Sequence, residues 1–132
     1  MKVKWAAIKE LYTEQKKAMH EDAVFFEFFE LNRHWLVPYA AFSYLRDKYK
    51  TPDFSQWKAH IIYNEAAIQK FVDPTHKYYD EIALYYFIQY HLHLPLKDAT
   101  DYAHSNGIVV KGDIPIGIYR NSCDAWVEPA LY

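Results

Sequence analysis

The alternation of apolar and polar residues along the chain predicts a series of amphipathic helices. Between residues 4 and 20 apolar side chains recur near the helical period with Lys and Glu between them, and Asp22 is placed to cap a second helix. The run 24–31 is apolar on nearly every side, which predicts burial on two faces. Asn32 is expected to end this segment or to cap the next one.

The same pattern continues toward the C-terminus. Three further helices are predicted, over residues 35–49, 64–71 and 78–94. Pro38 fits the first turn of its helix, and Asp53 or Ser55 starts a short helix that carries Trp57. Pro95 is expected to kink or end the helix over 78–94, and Asn106-Gly107 supplies a left-handed stop.

The pattern changes at residues 108–113, where Ile108, Val109 and Val110 have the β-branched composition of a short buried parallel strand. Gly112 and Asp113 follow at its carboxyl end, where α/β proteins place their chemistry. The predicted fold class is therefore α/β, mostly helical, with one parallel strand at 108–113. Because one strand cannot pair with itself, we expect the chain to be a portion of a larger α/β domain.

Composition bounds the class of protein. The 132 residues make at most one domain, and hydrophobic and aromatic fractions of 52% and 19% exclude disorder. A net charge of −2 predicts no nucleic-acid partner and no attraction to an anionic membrane, and the apolar runs are too short to cross a bilayer. A single cysteine fits a reducing compartment, and with no recognisable signal peptide the predicted location is cytoplasmic.

Several side chains could carry chemistry, but most have a structural interpretation. His91 and His93 are two positions apart and face different sides of a helix, so no metal site is predicted. Cys123 has no His at a recognisable spacing, which favours a small buried thiol over a nucleophile. The tyrosines at 78, 79, 85, 86 and 90 are expected in core and interface packing, although aromatic faces also stack on sugars.

Two carboxylates, Asp113 and Asp124, remain as candidates for acid and base chemistry at a glycosidic bond. Such chemistry needs two carboxyl groups in different environments. Asp124 is alternatively a residue at the start of a helix, in a turn formed by Asn121 and Ser122, and this interpretation is slightly favoured. Asp113 is alternatively a carboxylate that accepts hydrogen bonds from backbone amides or pairs with a buried Arg. The sequence does not decide between these roles for Asp113.

Longer motifs resemble one known family. They are Gly112-Asp113-Ile114-Pro115-Ile116, the segment from Asn121 to Trp126, the helix Asn32-Arg33-His34-Trp35-Leu36-Val37-Pro38-Tyr39-Ala40-Ala41-Phe42, and Tyr102-Ala103 before Gly107-Ile108. Together they resemble the 4-alpha-glucanotransferases of glycoside hydrolase family 77, over about residues 32 to 132. The Gln89-Tyr90 region is similar to the plant cytosolic, maltose-metabolising type and its bacterial relatives.

This resemblance implies a (β/α)8 barrel of which residues 108–113 form the third strand. The resemblance also implies that residues 1–132 are a partial catalytic domain. Residues 1–75 would be a helical insertion region, and residues 76–132 would be a helix, the third barrel strand and its exit loop. The family resemblance implies a retaining mechanism with an Asp nucleophile and a Glu acid/base, neither of which lies within this chain. Residues that would support the substrate site are Asp113, Asn121, Ser122, Asp124 and Trp126.

The function that the resemblance implies is transfer of glucosyl units from maltose or maltodextrin to a glucan acceptor, with no cofactor and no metal. The expected partners are these sugars, glucan polymers such as starch and glycogen, and the remainder of the same polypeptide. The chain alone is expected to be inactive. Two alternatives are a helical interaction module that has inherited only the family scaffold, and a glucan-binding domain without catalysis.

Overall fold

The computed structural model describes residues 2–113 and 117–132, and it is built from helices joined by irregular chain. The elements are α1 (Lys2–Glu21), α2 (Ala23–Tyr49), a 3-10 turn (Phe54–Gln56), α3 (Glu65–Phe71), α4 (Tyr79–Ser105) and α5 (Cys123–Val127). The long helices α1, α2 and α4 pack together, and the short helices α3 and α5 pack against α2.

Local capping explains where most of these helices begin. The Asp22 side chain accepts a hydrogen bond from the backbone N–H of Val24 at 2.8 Å, and Asp22 alone separates α1 from α2. Asn64 caps α3 in the same way through the N–H of Ala67, at 2.9 Å. Asp53 caps the 3-10 turn, and Trp57 follows that turn directly. These starts were all predicted from the residue types.

The sequence predicted a helix boundary at Asn32 and a separate helix from residue 35. Both predictions are wrong, because α2 is continuous from Ala23 to Tyr49. The Asn32 amide donates to the carbonyl of Phe28 at 2.8 Å and its oxygen accepts from the indole of Trp35 at 2.9 Å, so both groups are satisfied inside a continuous helix. Pro38 lies in the interior of α2 and is buried. Burial of the surrounding face of the helix against α4 outweighs the hydrogen bond that proline removes.

The prediction that residues 24–31 are buried on two faces is wrong. Phe25 and Phe28 are 3% and 5% exposed, but Val24, Phe26 and Leu31 are between 50% and 70% exposed. Helix α2 therefore buries one side of this segment and leaves apolar side chains on the other side uncovered.

Helix α4 runs through Pro95, and its first half is buried while most of its second half is exposed. It ends at Ser105, and Asn106-Gly107 follow as the predicted stop, with Gly107 at a φ of +73°. The N–H of Gly107 donates to the carbonyl of His104 at 3.0 Å and the N–H of Ile108 to that of Ala103 at 2.9 Å. These two bonds satisfy carbonyls that the helix end would otherwise leave without a partner.

The predicted strand at 108–113 is wrong, and with it the α/β fold class. The structure shows irregular chain there, no strand occurs in the two described ranges, and Ile108, Val109 and Val110 are 58%, 84% and 50% exposed. A β-branched composition favours extended backbone, but a strand exists only where a second strand supplies hydrogen bonds. Residues 114–116 of the motif that follows lie outside the described part of the chain.

An aromatic interior joins the long helices. Phe25 of α2 packs edge to face on Tyr90 of α4 at 5.4 Å between ring centroids, and Tyr12 of α1 packs on Phe87 at 5.5 Å. Tyr85, Tyr86 and Tyr90 are all buried, in agreement with the predicted packing role of the tyrosines. Across residues 2–113 and 117–132, no helix has the length and apolarity needed to span a membrane.

Candidate functional site

The predicted site residues near the C-terminus are held by helix α5. Ser122 caps this helix by accepting a hydrogen bond from the N–H of Ala125 at 3.2 Å. Asp124 lies in the first turn and is exposed, and Asn121 precedes the cap and is half-buried. A carboxylate in the first turn complements the positive end of the helix, which is the structural role that the sequence slightly favoured for Asp124.

Trp126 anchors this segment to the rest of the molecule. Its side chain is 1% exposed, and its indole N–H donates to the carbonyl of His60 at 2.9 Å. The ring packs against Tyr63 at 5.0 Å, Trp57 at 5.7 Å and Phe42 at 5.8 Å. Trp126 is therefore a packing residue in this structure, and it holds α5 against the rest of the molecule.

Asp113 lies on the exposed irregular chain that follows α4. Within the described residues, no hydrogen bond joins its carboxylate to Asn121, Ser122 or Asp124. The structure therefore connects Ser122 with Trp126, through a backbone hydrogen bond of 3.1 Å, but does not bring Asp113 into that group.

The other reactive candidates have packing roles. Burial, followed by the nearby charge of Asp124, raises the pKa of the Cys123 thiol to about 12, so the thiol stays protonated at neutral pH. The His91 ring packs on Phe87 at 4.2 Å between centroids, whereas His93 packs on Phe28 at 4.9 Å. No cluster of three potential metal ligands occurs in the described part of the chain.

A second group of side chains, which the sequence did not indicate, lines a groove between α1, α2 and α4. The groove has a volume of about 530 Å³. Its lining residues are Trp5, Ala6, Lys9, Tyr44, Asp47, Lys48, Glu81, Leu84 and Tyr85. We call it the aromatic groove.

Hydrogen bonds hold the carboxylate of the aromatic groove in place. The Tyr85 hydroxyl donates to one oxygen of Asp47 at 2.7 Å, and the Arg46 Nε donates to the other at 2.8 Å. Trp5 packs edge to face on Tyr85 at 6.0 Å between centroids. Burial, together with the Asp47 carboxylate, raises the pKa of Tyr85, so this phenol remains a hydrogen-bond donor.

The wall of the aromatic groove also carries a lysine beside tyrosines. The Lys48 ammonium lies 4.4 Å from the centroid of Tyr78 and 5.6 Å from that of Tyr44. Burial and the charge of Glu81 raise the pKa of Tyr44 to about 12. Flat aromatic faces beside fixed charged groups can stack on a sugar ring and hydrogen-bond its hydroxyls.

A sequence signal for the aromatic groove exists in retrospect. Each helix contributes a pair of one aromatic and one charged residue four positions apart, which places both on one helix face. The pairs are Trp5 and Lys9, Tyr44 and Lys48, and Glu81 and Tyr85. Such pairs are common on surface helices, so only the packing of three helices distinguishes these.

The family assignment follows from comparison with known proteins. The family described as 4-alpha-glucanotransferase, glycoside hydrolase 77, matches residues 1–132. This is a class of glucan-processing enzymes, and the chain belongs to it. No solved structure matches the chain.

Individual relatives carry the same family description. The chain is 37% identical to the 4-alpha-glucanotransferase DPE2 of Oryza sativa subsp. japonica over 129 residues, which are 98% of this chain and 14% of the rice protein. It is 31% identical to the 4-alpha-glucanotransferase of Chlamydia pneumoniae over 93% of the chain and 23% of that protein. The Thermus thermophilus enzyme is 25% identical, over 98% of the chain and 26% of its own length. The chain thus spans between about one seventh and one quarter of these relatives.

Proposed function

We propose that these residues form part of a cytoplasmic 4-alpha-glucanotransferase that moves glucosyl units from maltose or a short maltodextrin to a glucan acceptor. The observation that carries the proposal is the family match across all 132 residues. The reaction needs no cofactor, and retention of configuration follows from two successive displacements at the same sugar carbon.

In the proposed mechanism an Asp nucleophile forms the glucosyl-enzyme intermediate and a Glu serves as acid and then as base. Both belong to the remainder of the polypeptide, so the 132-residue chain alone is inactive. Asp113 supports the geometry of the substrate site by hydrogen bonding, and does not take part in the covalent step. Asn121, Ser122 and Asp124 border that site, and Trp126 holds them in position.

Exposed apolar side chains support the proposal that the remainder of the polypeptide packs against this chain. Val109 is 84% exposed and Leu96 is 64% exposed, although both are strongly apolar. Exposed apolar residues of this size on adjoining segments are typical of a surface that another part of the protein covers. We propose that the rest of the catalytic domain packs there.

A chimera tests the proposal. The segment of the rice enzyme that matches this chain is replaced by residues 1–132, and glucose release from maltose is measured with glycogen as acceptor. We expect transfer by the chimera and none by the 132-residue chain. Asp113→Ala in the chimera should lower the rate about tenfold to hundredfold, because a hydrogen bond to a charged group contributes about 1.5–3 kcal/mol.

Asp98→Ala is the matched control, because Asp98 is an exposed aspartate on α4 and lies outside the proposed site. This variant should retain the rate of the parent chimera. A folded chimera without transfer would contradict the proposal. The 132-residue chain alone could also release glucose and lose this activity in the Asp113→Ala variant. That result would contradict the assignment of the catalytic carboxylates to the remainder of the polypeptide.

The aromatic groove favours a second candidate function, binding of a glucan without catalysis. Trp5 and Tyr44 offer aromatic faces to a sugar, and Asp47 is held as a hydrogen-bond acceptor by Tyr85 and Arg46. Titration of the purified protein with maltoheptaose, followed by tryptophan fluorescence, tests this function. We expect saturable binding that Trp5→Ala abolishes and that Trp35→Ala, on a different surface, leaves unchanged. The absence of saturation would exclude the function.

A further inference from the structure

The chain between the 3-10 turn and α3 carries a strained residue. His60 has a φ of +59°, in the left-handed region that is unfavourable for a residue with a Cβ. Its ring packs on the buried ring of Phe71 at 4.9 Å between centroids, and its carbonyl accepts the indole N–H of Trp126 at 2.9 Å. Because these two contacts hold His60 in the strained conformation, a displacement of the ring would let the backbone relax.

The carbonyl of His60 is the hydrogen-bond partner of the side chain that anchors α5. Trp126 is almost completely buried, and α5 has only five residues, so this helix depends on its anchor. Without the His60 carbonyl, the indole N–H would be a buried donor without a partner, which is unfavourable. The position of His60 and the packing of α5 are therefore coupled.

The His60 ring lies beside two cationic groups from other parts of the chain. Burial, followed by the charges of Lys48 in α2 and of protonated His76 after α3, holds the pKa of His60 below its usual value of 6.5. His76 packs on the same Phe71 ring at 5.2 Å between centroids. Tyr44 of α2 also packs on Phe71, and burial raises its pKa to about 12, so its phenol is neutral here.

The acidic side chains do not balance these cations at His60. In the two stretches that the structure describes, no ion pair joins His60 to a carboxylate. The carboxylate of Asp73 interacts with His76 and accepts the N–H of Thr75 at 2.8 Å. A proton on His60 therefore adds a positive charge that has no carboxylate in contact with it.

We propose that His60 is a pH-sensitive positioning residue for α5. Protonation makes its ring repel Lys48 and His76, which displaces the ring from Phe71. The strained backbone then relaxes, the carbonyl leaves the indole of Trp126, and α5 is released. This coupling concerns the anchoring of α5 and does not depend on the proposed transfer reaction.

The direction of the pH dependence follows from the two states of His60. Above a pH of about 6.5 the ring is neutral in both the anchored and the released state, so the anchor has its full strength. Below that pH the released state binds the proton more readily, because its ring is in solvent and away from the neighbouring cations. Each pH unit by which anchoring lowers the pKa favours release about tenfold once the ring is protonated.

The experiment follows the Trp126 indole N–H by NMR in the purified protein, after its signal is assigned with Trp126→Phe. The protection factor compares hydrogen exchange of this N–H with that of a free indole at the same pH, and so reports how often the bond to His60 opens. We expect this factor to fall about threefold to tenfold between a pH of about 7.5 and about 5.5. The midpoint should coincide with the titration of the His60 ring.

Two variants separate the charge of the ring from its packing. His60→Asn removes the titrating group, and Asn tolerates a positive φ, so its protection factor should not change over this pH range. His76→Asn removes a neighbouring cation but keeps an acceptor for the N–H of Tyr78, so the midpoint should rise by a few tenths of a pH unit.

The matched control is His104→Asn, because His104 is an exposed histidine at the opposite end of α4 from His76. This variant should reproduce the pH dependence of the parent protein. The proposal is overturned if the protection factor of the parent does not depend on pH, or if it falls equally in His60→Asn. An unchanged midpoint in His76→Asn would overturn it independently, even if His60→Asn did not fold.

Discussion

Replacing Trp126 by alanine should detach the C-terminal segment from the helices. Trp126 is 1% exposed, so nearly all of an aromatic surface of about 200 Å² is buried, which corresponds to about 5 kcal/mol at 25 cal/mol per Å². Its indole N–H also satisfies the carbonyl of His60. Loss of that hydrogen bond adds about 1 kcal/mol, so the total cost is about 6 kcal/mol.

This loss is large compared with the stability of an ordinary domain, which is about 5–15 kcal/mol. Helix α5 has five residues and is too short to persist without its packing. In Trp126→Ala we therefore expect α5 to unfold and the urea midpoint of the remainder to fall. Trp126→Phe keeps most of the ring contacts with Trp57 and Tyr63 and loses the indole N–H, so it should cost only about 1–2 kcal/mol.

The measurement combines urea unfolding, followed by circular dichroism, with amide hydrogen exchange. Exchange of the amides of Ala125 and Trp126, which are protected by α5 in the parent protein, should become fast in Trp126→Ala. Equal losses of stability in the alanine and phenylalanine variants would refute the assignment of most of the energy to ring burial. A loss below about 1 kcal/mol in Trp126→Ala would refute the anchoring role itself.

Three further predictions concern stability and reactivity. The hydrogen bond from Tyr90, followed by that from the backbone of Val24, lowers the pKa of Asp22 below 3.8. The stability that this carboxylate contributes is present above a pH of about 4, and it is lost as the pH falls through the pKa of the folded state. Acid unfolding curves of Asp22→Asn should lack that contribution, and curves identical to the parent's would argue against it. Gly107→Ala should lower the free energy of unfolding by about 1–2 kcal/mol, because a φ of +73° strains a residue that has a Cβ. Gly112→Ala should leave the thermal unfolding curve unchanged, and equal effects of the two substitutions would rule out backbone strain at Gly107. Burial raises the pKa of Cys123 to about 12. Iodoacetamide at pH 8 should therefore alkylate the native protein at least about tenfold more slowly than the protein in urea. Similar rates would contradict the burial of the thiol.

The helix ends were the most predictable part of the fold. Asp22, Asn64 and Ser122 are residues whose side chains accept from an N–H two or three positions ahead, and the structure contains all three caps. Gly107 ends α4 because it lacks a Cβ and adopts a positive φ. In each case the stabilising partner lies within a few residues, so the sequence carries the whole interaction.

The errors arose where a local preference met a distant contact. The preference of proline for a first turn predicts a helix start near Pro38, but α2 continues through it because that face of the helix is buried. The segment 108–113 has a composition typical of a strand, yet it is irregular and exposed because no second strand pairs with it among the described residues. Apolar composition around Phe26 did not reveal that only one side of α2 is covered.

The sequence by itself determined the family, the helical periodicity and the caps, because each depends on residue types at short, regular spacing. Only the tertiary structure decided which helix faces meet. Tyr85 and Asp47 are 38 positions apart in the chain, and Trp126 and His60 are 66 apart. The aromatic groove and the surroundings of Trp126 consist of such distant pairs. Their geometry depends on how three helices pack, which no local pattern specifies.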